Sequence, residues 1–408
     1  MPEDRFLVTP PVLDIQERDG LTIVKNVVLG TSLRCDSRSR EVLEFFRSPR
    51  KLSDCLAAGY LPREIDSVVD AAVVMDVEQL LRTPVTNSIG KVLSFEEFLA
   101  DPAAVEFAVL GVPTDAGTSG EPGARNGPAL IRSEFCCFPL PLHAAAVADR
   151  AAGAAALVDL EFRRSYAGAL PVVADLGNVV TLAGEGIATI GARLEMFVSL
   201  VHRHGVRLAL LGGDHSITHW ILRAMLQQHS ALGVLHFDAH HDLVPPLHPG
   251  ANYVSHFNPF RAALRSPALK RLHQIGLRTV EMVWSPSVPV DERLSYVSAR
   301  EVQAMTPEEV FAGIPRDLPY YLSFDIDCVS PDVAPETGTP VPGGLGYYQA
   351  LELIDFAARN FDLVGFDLVE VAGNAHDSNR AGRIAARLVL QTILGRAAFE
   401  PLTSYHSQ

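Results

Sequence analysis

Short apolar runs alternate with longer helix-like stretches along most of the chain after about residue 104. Helical spacing of apolar positions is found at 191–203, 218–228 and 347–359. The runs between such helices are apolar at nearly every position, as in strands buried on both faces of a sheet. They lie at 105–112, 172–176, 206–211, 232–237, 272–277, 320–324 and 363–366. This alternation predicts an α/β fold with helices on both faces of a mainly parallel sheet.

The first 88 residues have a different pattern. A strand-like run at 21–29 precedes three stretches with helical spacing, at 37–46, 51–58 and 63–81. A segment rich in turn-forming residues, 84–90, is typical of a linker. We therefore expect a small α+β, winged-helix-like N-terminal domain over residues 1–88 and a larger α/β domain over 89–408.

Composition and charge exclude several classes of protein. The chain has 408 residues, of which 48% are hydrophobic, and this is typical of an ordered globular protein. A net charge of −14 argues against a nucleic acid as the main partner, because phosphate backbones select clustered Lys and Arg. No apolar run is long enough to span a bilayer, and the N-terminus lacks a signal-peptide pattern. We expect a cytoplasmic protein without a membrane partner.

The five cysteines form neither an even set of disulfide partners nor a Cys-x-x-Cys pair. They are expected to be buried thiols. Cys328 lies beside two aspartates, but no histidine has the spacing that would make it a nucleophile, so we expect it to pack in the core.

Candidate metal ligands follow the apolar run at 232–237. Asp238, His240 and Asp242 alternate, so an extended chain would place their side chains on one side. His215 follows the run at 206–211, and Asp325 with Asp327 follow the run at 320–324. Because ligands of such sheets bind at the carboxyl ends of the strands, we expect these side chains to meet.

The set of candidate ligands indicates hard or borderline divalent ions. Two imidazoles and four carboxylates favour Mn²⁺, with Ni²⁺, Co²⁺ or Fe²⁺ as alternatives. Four carboxylates would neutralise two such ions. A pair of divalent metals can activate a shared water, and the expected reaction is hydrolysis at an electrophilic carbon.

Three ordered motifs resemble the signatures of the arginase/agmatinase family of ureohydrolases. These are Gly-Gly-Asp-His-Ser at 212–216, Phe-Asp-Ala-His-His-Asp at 237–242 and Ser-Phe-Asp-Ile-Asp at 323–327. The resemblance extends over about 105–395 and leaves the N-terminal part uncovered. It implies a three-layer α/β/α fold and a dimetal site that hydrolyses a guanidino group to urea and an amine. Family members are commonly trimers or hexamers, so the resemblance also implies a homo-oligomer.

The resemblance also assigns roles to individual residues. His215 and Asp242 would bind one metal, His240 and Asp327 the other, with Asp238 and Asp325 bridging. Catalytic roles are implied for Asp242, Glu370 and His256. Glu370 would pair with the substrate guanidinium, since a carboxylate accepts two parallel hydrogen bonds. His256 stands where the family often has a histidine that shuttles protons or contacts substrate. Apart from the resemblance, Thr339 could offer a hydroxyl to the guanidino group, although turn formation explains its stretch as well.

The identity of the substrate stays open at this point. The residues after Asp242 lack the pattern with which arginases hold the α-carboxylate and α-amine of arginine, so an agmatinase-like enzyme for a small guanidino compound is favoured. A guanidine or formimidoyl hydrolase would fit the same metal chemistry.

The N-terminal part suggests two further alternatives. Its order of elements resembles the PqqD-like domains that recognise peptide precursors, so the substrate could be an arginine in a bound peptide. From a different class, the chain could be a non-catalytic binding or regulatory protein. The complete ligand set and Glu370 favour an enzyme.

Overall fold

The apolar runs form the central strands of one large sheet. The computed structural model describes residues 4–11, 13–18, 21–27, 29–82, 87–135, 157–166, 170–245, 253–280, 291–373 and 379–402. Its strands are β1 (Phe6–Val8), β2 (Asp14–Arg18), β3 (Leu21–Asn26), β4 (Thr31–Cys35), β5 (Arg50–Lys51), β6 (Met75–Asp76), β7 (Leu81–Arg82), β8 (Lys91–Val92), β9 (Phe107–Gly111), β10 (Leu157–Asp159), β11 (Arg164–Tyr166), β12 (Val173–Val179), β13 (Arg207–Leu211), β14 (Leu232–Phe237), β15 (Leu269–Leu277), β16 (Leu294–Ser298), β17 (Pro319–Asp325), β18 (Asp362–Val369) and β19 (Glu400–Pro401). Its helices are α1 (Ser37–Phe45), α2 (Leu52–Ala57), α3 (Pro62–Asp70), α4 (Phe95–Ala100), α5 (Gly127–Phe135), α6 (Ile187–Arg203), α7 (Ile217–Gln228), α8 (Ala299–Val302), α9 (Pro307–Val310), α10 (Tyr347–Asn360) and α11 (Arg380–Leu394).

The large sheet has ten strands among the described residues, in the order β16-β15-β14-β17-β18-β13-β9-β12-β7, with β8 also paired to β12. Its pairings are parallel except for the antiparallel contact of β12 with β7. The prediction of a mainly parallel sheet is therefore confirmed.

Helices cover both faces of this sheet because its strands are apolar on both sides. In β9, Phe107 and Val109 belong to the core cluster that includes α10 and α11, whereas Ala108 and Leu110 belong to the cluster that includes α6 and α7. This alternation along one strand produces the three layers of an α/β/α fold.

The register of the four central strands brings their carboxyl ends level. Phe237 of β14 lies opposite Phe324 of β17, and Phe324 lies opposite Leu368 of β18. Leu368 in turn lies opposite Leu211 of β13. The polar residues that follow these strands therefore begin at the same edge of the sheet.

The N-terminal part has its own apolar core. Strands β2, β3 and β4 form an antiparallel sheet, and β1 pairs with β5 and β6. Helix α1 begins where predicted, after Asp36, whose side chain accepts a hydrogen bond from the backbone N–H of Ser39 at 2.8 Å. Leu7, Val42 and Val68 pack together in this core.

The third N-terminal helix is shorter than predicted. A helix over 63–81 was expected, but α3 ends at Asp70, and Ala72 has a φ of 52°. Val73 and Val74, both β-branched and fully buried, follow that turn, and β6 then pairs with β1. Burial of the two valines thus favours the turn after Asp70 over a longer helix.

The expected domain boundary at residues 88 and 89 stays a prediction. Strand β7 pairs with β12 of the large sheet although it precedes that boundary. The expected linker at 84–90 lies partly outside the described residues. Ile89, within its described part, is fully buried and donates its backbone N–H to Asp175 at 3.0 Å.

Candidate metal centre and substrate pocket

The three predicted groups of ligands meet at the carboxyl edge of the sheet. The turn after β13 passes very close to a neighbouring loop, because a Cβ on Gly213 would lie 1.9 Å from the carbonyl oxygen of Thr114. Only glycine fits such an approach. The turn places His215 directly before α7, where its ring faces the aspartates that follow β14 and β17.

His215 directs its Nδ1 atom at three carboxylates. This atom lies 3.1 Å from Asp238 Oδ2, 2.9 Å from Asp242 Oδ2 and 3.3 Å from Asp325 Oδ2. On the other side of the ring, Nε2 lies 2.9 Å from the hydroxyl of Ser323, which donates its own hydrogen to Asp367 at 2.6 Å. Because the Ser323 oxygen accepts from the ring, Nε2 carries a proton, and in the neutral ring Nδ1 keeps the lone pair.

A second group lies beside the first. His240 Nδ1 lies 3.0 Å from Asp327 Oδ2 and 3.4 Å from Asp238 Oδ1. Asp238 therefore faces His215 with one carboxylate oxygen and His240 with the other. Clusters with metal-ligand spacing form around each ring: one has His215, His236, Asp238 and Asp242, and the other has Asp238, His240 and Asp327.

These residues fit bound cations on the chemistry of the donor set. The carboxylates of Asp238, Asp242, Asp325 and Asp327 are buried together. Burial raises the pKa of Asp242 to about 6, with the Asp238 charge adding to the shift, and it raises the pKa of Asp325 well above its usual value. Burial alone would lower the pKa of His240, but hydrogen bonds to Asp238 and Asp327 raise it to about 12. The cluster thus needs positive charge, which two divalent metals would supply.

His236 is a member of this cluster that the sequence did not reveal. Its Nε2 atom lies 2.9 Å from Asp238 Oδ2. The side-chain amide of Gln274 donates to His236 Nδ1 at 2.8 Å, so Nε2 carries the ring proton and donates to Asp238. His236 orients the carboxylate that lies between His215 and His240. Its position inside an apolar strand gives no sequence signal of this role.

Two residues of the site have a left-handed backbone. Asp242 has a φ of 54° and Glu370 a φ of 61°. Residues other than glycine rarely adopt this conformation, and it is concentrated at functional sites. Two hydrogen bonds hold Glu370 in place: its backbone N–H donates to the carbonyl of Gly213 at 2.9 Å, and its side-chain Oε1 accepts from the backbone N–H of His215 at 2.8 Å.

The structure brings Glu370 and His256 together. His256 Nδ1 lies 3.5 Å from Glu370 Oε1, and both side chains are buried. Burial alone would lower the pKa of His256, but the hydrogen bond to Glu370 and its charge raise it. The pair lies next to the predicted metal ligands, where the sequence predicts a catalytic contact.

A cavity of about 220 Å³ opens onto the predicted ligands. Thr339 belongs to its wall and donates its hydroxyl to Asp327 Oδ2 at 3.3 Å. The remaining lining residues are Ser119, His240, His241, Asp242, Val244, His256, Phe257 and Asp325.

Comparisons with known proteins agree with this geometry. A model of the arginase family matches residues 105–395. The chain belongs to the arginase family. It is 34% identical over 301 residues to a guanidinobutyrase of Pseudomonas aeruginosa, covering 71% of this chain and 86% of the relative. It is 32% identical over 319 residues to an agmatinase of Edwardsiella ictaluri, covering 77% and 95%.

A solved structure of a related enzyme has a similar fold. Proclavaminate amidino hydrolase from Streptomyces clavuligerus superposes with a TM-score of 0.57 at 28% identity, covering 72% of this chain and 93% of the other. Two predictions are thus confirmed: the chain belongs to the ureohydrolase family of metal-dependent enzymes, and it has the three-layer fold. The likeness of residues 1–88 to PqqD-like domains stays a prediction.

Other predictions concern the rest of the molecule. Cys35, Cys55 and Cys328 are buried free thiols, as expected, while Cys136 and Cys137 lie outside the described residues. Within the described part of the chain, no helix is long and apolar enough to cross a membrane. The expected trimer or hexamer stays a prediction.

Proposed function

We propose that this protein hydrolyses a guanidino group in a reaction that depends on two divalent metals and releases urea and an amine. The observation that carries the proposal is the position of Asp238, whose two carboxylate oxygens face His215 and His240. That arrangement favours two adjacent cations at the base of one pocket. The agmatinase and guanidinobutyrase relatives support guanidino compounds as the substrate class.

The donor set supports Mn²⁺ as the native metal, with Ni²⁺, Co²⁺ or Fe²⁺ as alternatives. His215 and Asp242 would hold one ion and His240 and Asp327 the other, while Asp238 and Asp325 would bridge them. When bound, the two ions supply Lewis acidity for the attack of water on the guanidinium carbon.

The protein's own residues then orient the substrate and move protons. We assign the guanidinium contact to Glu370, because a buried carboxylate beside the metal ligands can accept two parallel hydrogen bonds. Asp242 lines the pocket and is placed to accept a proton from the attacking water. The departing amine needs a proton, and His256 is the pocket imidazole placed to deliver it. Thr339 would complete the guanidino contact at the pocket wall.

The absence of Lys and Arg from the described lining of the pocket favours a substrate whose other end is cationic or neutral. Among the described lining residues are Asp242, Asp325 and three histidines, but neither Lys nor Arg. A carboxylate at the far end of the substrate would find no guanidinium or ammonium partner among these residues. We therefore propose agmatine, or an amine of similar length, ahead of 4-guanidinobutyrate and free arginine.

Urea release from a set of guanidino compounds tests this substrate proposal. The Mn²⁺-loaded and Ni²⁺-loaded proteins would be assayed with agmatine, 4-guanidinobutyrate, arginine, guanidine and a formimidoyl compound. We expect kcat/KM to be highest for agmatine. A preference for 4-guanidinobutyrate would overturn the charge argument but leave the reaction class intact. Absence of turnover with every compound, despite two bound metals, would favour a regulatory protein or a larger substrate.

A second candidate is an arginine within a peptide, and one feature favours it. A groove of about 680 Å³ lies between the N-terminal part and the enzyme part. Ile15 of β2 and Leu13, which precedes that strand, line it from the N-terminal part. Met196 and Leu200 line it from α6. Ile15 is 62% exposed. On this proposal the groove would hold an apolar part of the peptide.

Substitution in the groove distinguishes the two candidates. Ile15→Glu should lower urea release from arginine-containing peptides but leave agmatine hydrolysis unchanged, because it adds a charge to the apolar wall. Val27→Glu is the matched control, since Val27 is 58% exposed and is not among the groove residues. Equal peptide activity in the two variants would reject the peptide candidate.

A further inference from the structure

Ser119 makes two contacts with one atom of His256. Its backbone N–H donates to His256 Nε2 at 3.0 Å, and its hydroxyl oxygen lies 2.8 Å from the same nitrogen. Further hydrogen bonds join the loop of Ser119 to the loop of His256. The carbonyl of Gly117 accepts from the backbone N–H of His256 at 3.0 Å and from the hydroxyl of Ser255 at 2.8 Å. The contact between Ser119 and His256 is thus built into the fold.

The backbone contact decides the tautomer of His256. An amide N–H can only donate a hydrogen bond, so Nε2 must accept it with its lone pair. The ring proton of neutral His256 therefore lies on Nδ1. That nitrogen faces Glu370 Oε1 at 3.5 Å, so the proton is directed at the proposed guanidinium-binding carboxylate.

The hydroxyl of Ser119 can both donate and accept a hydrogen bond, whereas the backbone N–H can only donate. It can donate to Nε2 when the ring is neutral and accept from Nε2–H when the ring is protonated. Ser119 is itself exposed and lines the pocket, whereas His256 is buried. The hydroxyl therefore connects the buried ring to water in either protonation state.

We propose that Ser119 is a positioning residue for His256, whose hydroxyl holds the ring toward Glu370 and maintains a hydrogen bond to Nε2 in both ring protonation states. The inference rests on the proposed role of His256 in guanidino hydrolysis. Ser119 acts through His256 and not directly on the metals or the reacting carbon.

A double-mutant cycle tests whether Ser119 acts through His256. Loss of the hydroxyl in Ser119→Ala should lower kcat about tenfold while KM changes by less than about twofold. Ser119→Thr should restore most of kcat, because it keeps the hydroxyl. In a His256→Ala background, Ser119→Ala should cause no further loss. Thr118→Ala is the matched control, since the Thr118 hydroxyl contacts the backbone N–H of Gly120 and not His256.

Losses that multiply in the double variant, or full activity in Ser119→Ala, would overturn the inference. A second measurement is independent of turnover. In protein loaded with diamagnetic Zn²⁺, ring ¹⁵N shifts should show a neutral Nδ1–H form for His256, identified by the signal lost in His256→Gln. An Nε2–H form would reject the inference even if urea is released. Failure of every guanidino compound, with the Nδ1–H form present, would instead count against the proposed function alone.

Discussion

The Nε2 atom of His215 lies 2.9 Å from the hydroxyl of Ser323, and this contact leaves the opposite ring nitrogen free to bind a cation. Ser323 donates to Asp367, so its oxygen accepts a hydrogen bond from the Nε2–H of His215. The Nδ1 lone pair then faces Asp238, Asp242 and Asp325. Asp367 and Ser323 thus orient the ring of His215, a proposed metal ligand, without the help of a metal.

Ser323→Ala should weaken binding of divalent metal about 10- to 100-fold, because the His215 ring loses the partner that fixes its tautomer. Titration of the metal-free protein with Mn²⁺ measures this affinity. Ser295→Ala is a suitable control, since Ser295 contacts His273 in a neighbouring strand pair and no proposed ligand. Unchanged affinity in Ser323→Ala would show that the outer shell has no influence on the metal.

The pKa of Asp242 predicts how the metal-free protein responds to pH. Burial raises this pKa from 3.8 to about 6 in the folded protein. Between these values the unfolded chain loses the Asp242 proton before the folded protein does. The free energy of unfolding should therefore fall as pH rises from about 4 to about 6, and the loss is complete above that range.

Comparison with Asp242→Asn isolates this contribution. Denaturation in urea with a chelator, at pH values from 4 to 7, should show the wild type losing stability relative to the variant as pH rises. Excess Mn²⁺ should remove the trend, because a metal favours the ionised carboxylate. A constant difference between the two proteins across this range would contradict the assignment.

Glu370→Gln should reduce kcat/KM for agmatine about 100-fold, because the amide oxygen keeps only one, uncharged, hydrogen bond to the guanidinium and the amide nitrogen cannot accept the second. Metal content should stay unchanged, since Glu370 is not among the proposed ligands. Steady-state kinetics with metal analysis check both statements. The control is Glu352→Gln, an exposed glutamate on α10. Loss of metal in Glu370→Gln would point to a structural role instead.

Loss of the buried ion pair between Arg132 and Asp175, neither of which is a proposed metal ligand, should strongly lower the stability of the protein. Arg132 contacts both carboxylate oxygens of Asp175 at 2.8 Å, and the two side chains are at most 1% exposed. Arg132→Ala should lower the free energy of unfolding by about 3–5 kcal/mol, because Asp175 is left as an unpaired buried charge. Chemical denaturation measures the change. Arg300→Ala, at an exposed position, should change stability far less.

The sequence predicted those parts of the site that follow strand ends. Asp238 and Asp325 come directly after or at the end of an apolar run, and His215 follows β13 after a short turn; parallel strands bring such positions to one edge. The supporting residues could not be found in this way. His236, Ser323 and Asp367 lie inside the strands and are adjacent only through register, which pairs His236 with Ser323 and Ser323 with Asp367.

The length of α3 could not be predicted for a related reason. Apolar spacing through 63–81 is compatible with one long helix, and the local sequence contains no proline or glycine to end it. Burial of Val73 and Val74 and pairing of β6 with β1 end the helix instead. These are contacts with distant parts of the chain, which local periodicity does not record.

We propose that this protein hydrolyses a guanidino group with two metals held around Asp238. The most direct measurement is urea release from agmatine while metal-free protein is titrated with Mn²⁺, alongside Asp238→Ala and the exposed control Asp317→Ala. Activity should reach its plateau at two equivalents in the wild type and in Asp317→Ala, and should be absent from Asp238→Ala. Full activity at one equivalent, or undiminished urea release by Asp238→Ala, would contradict this proposal.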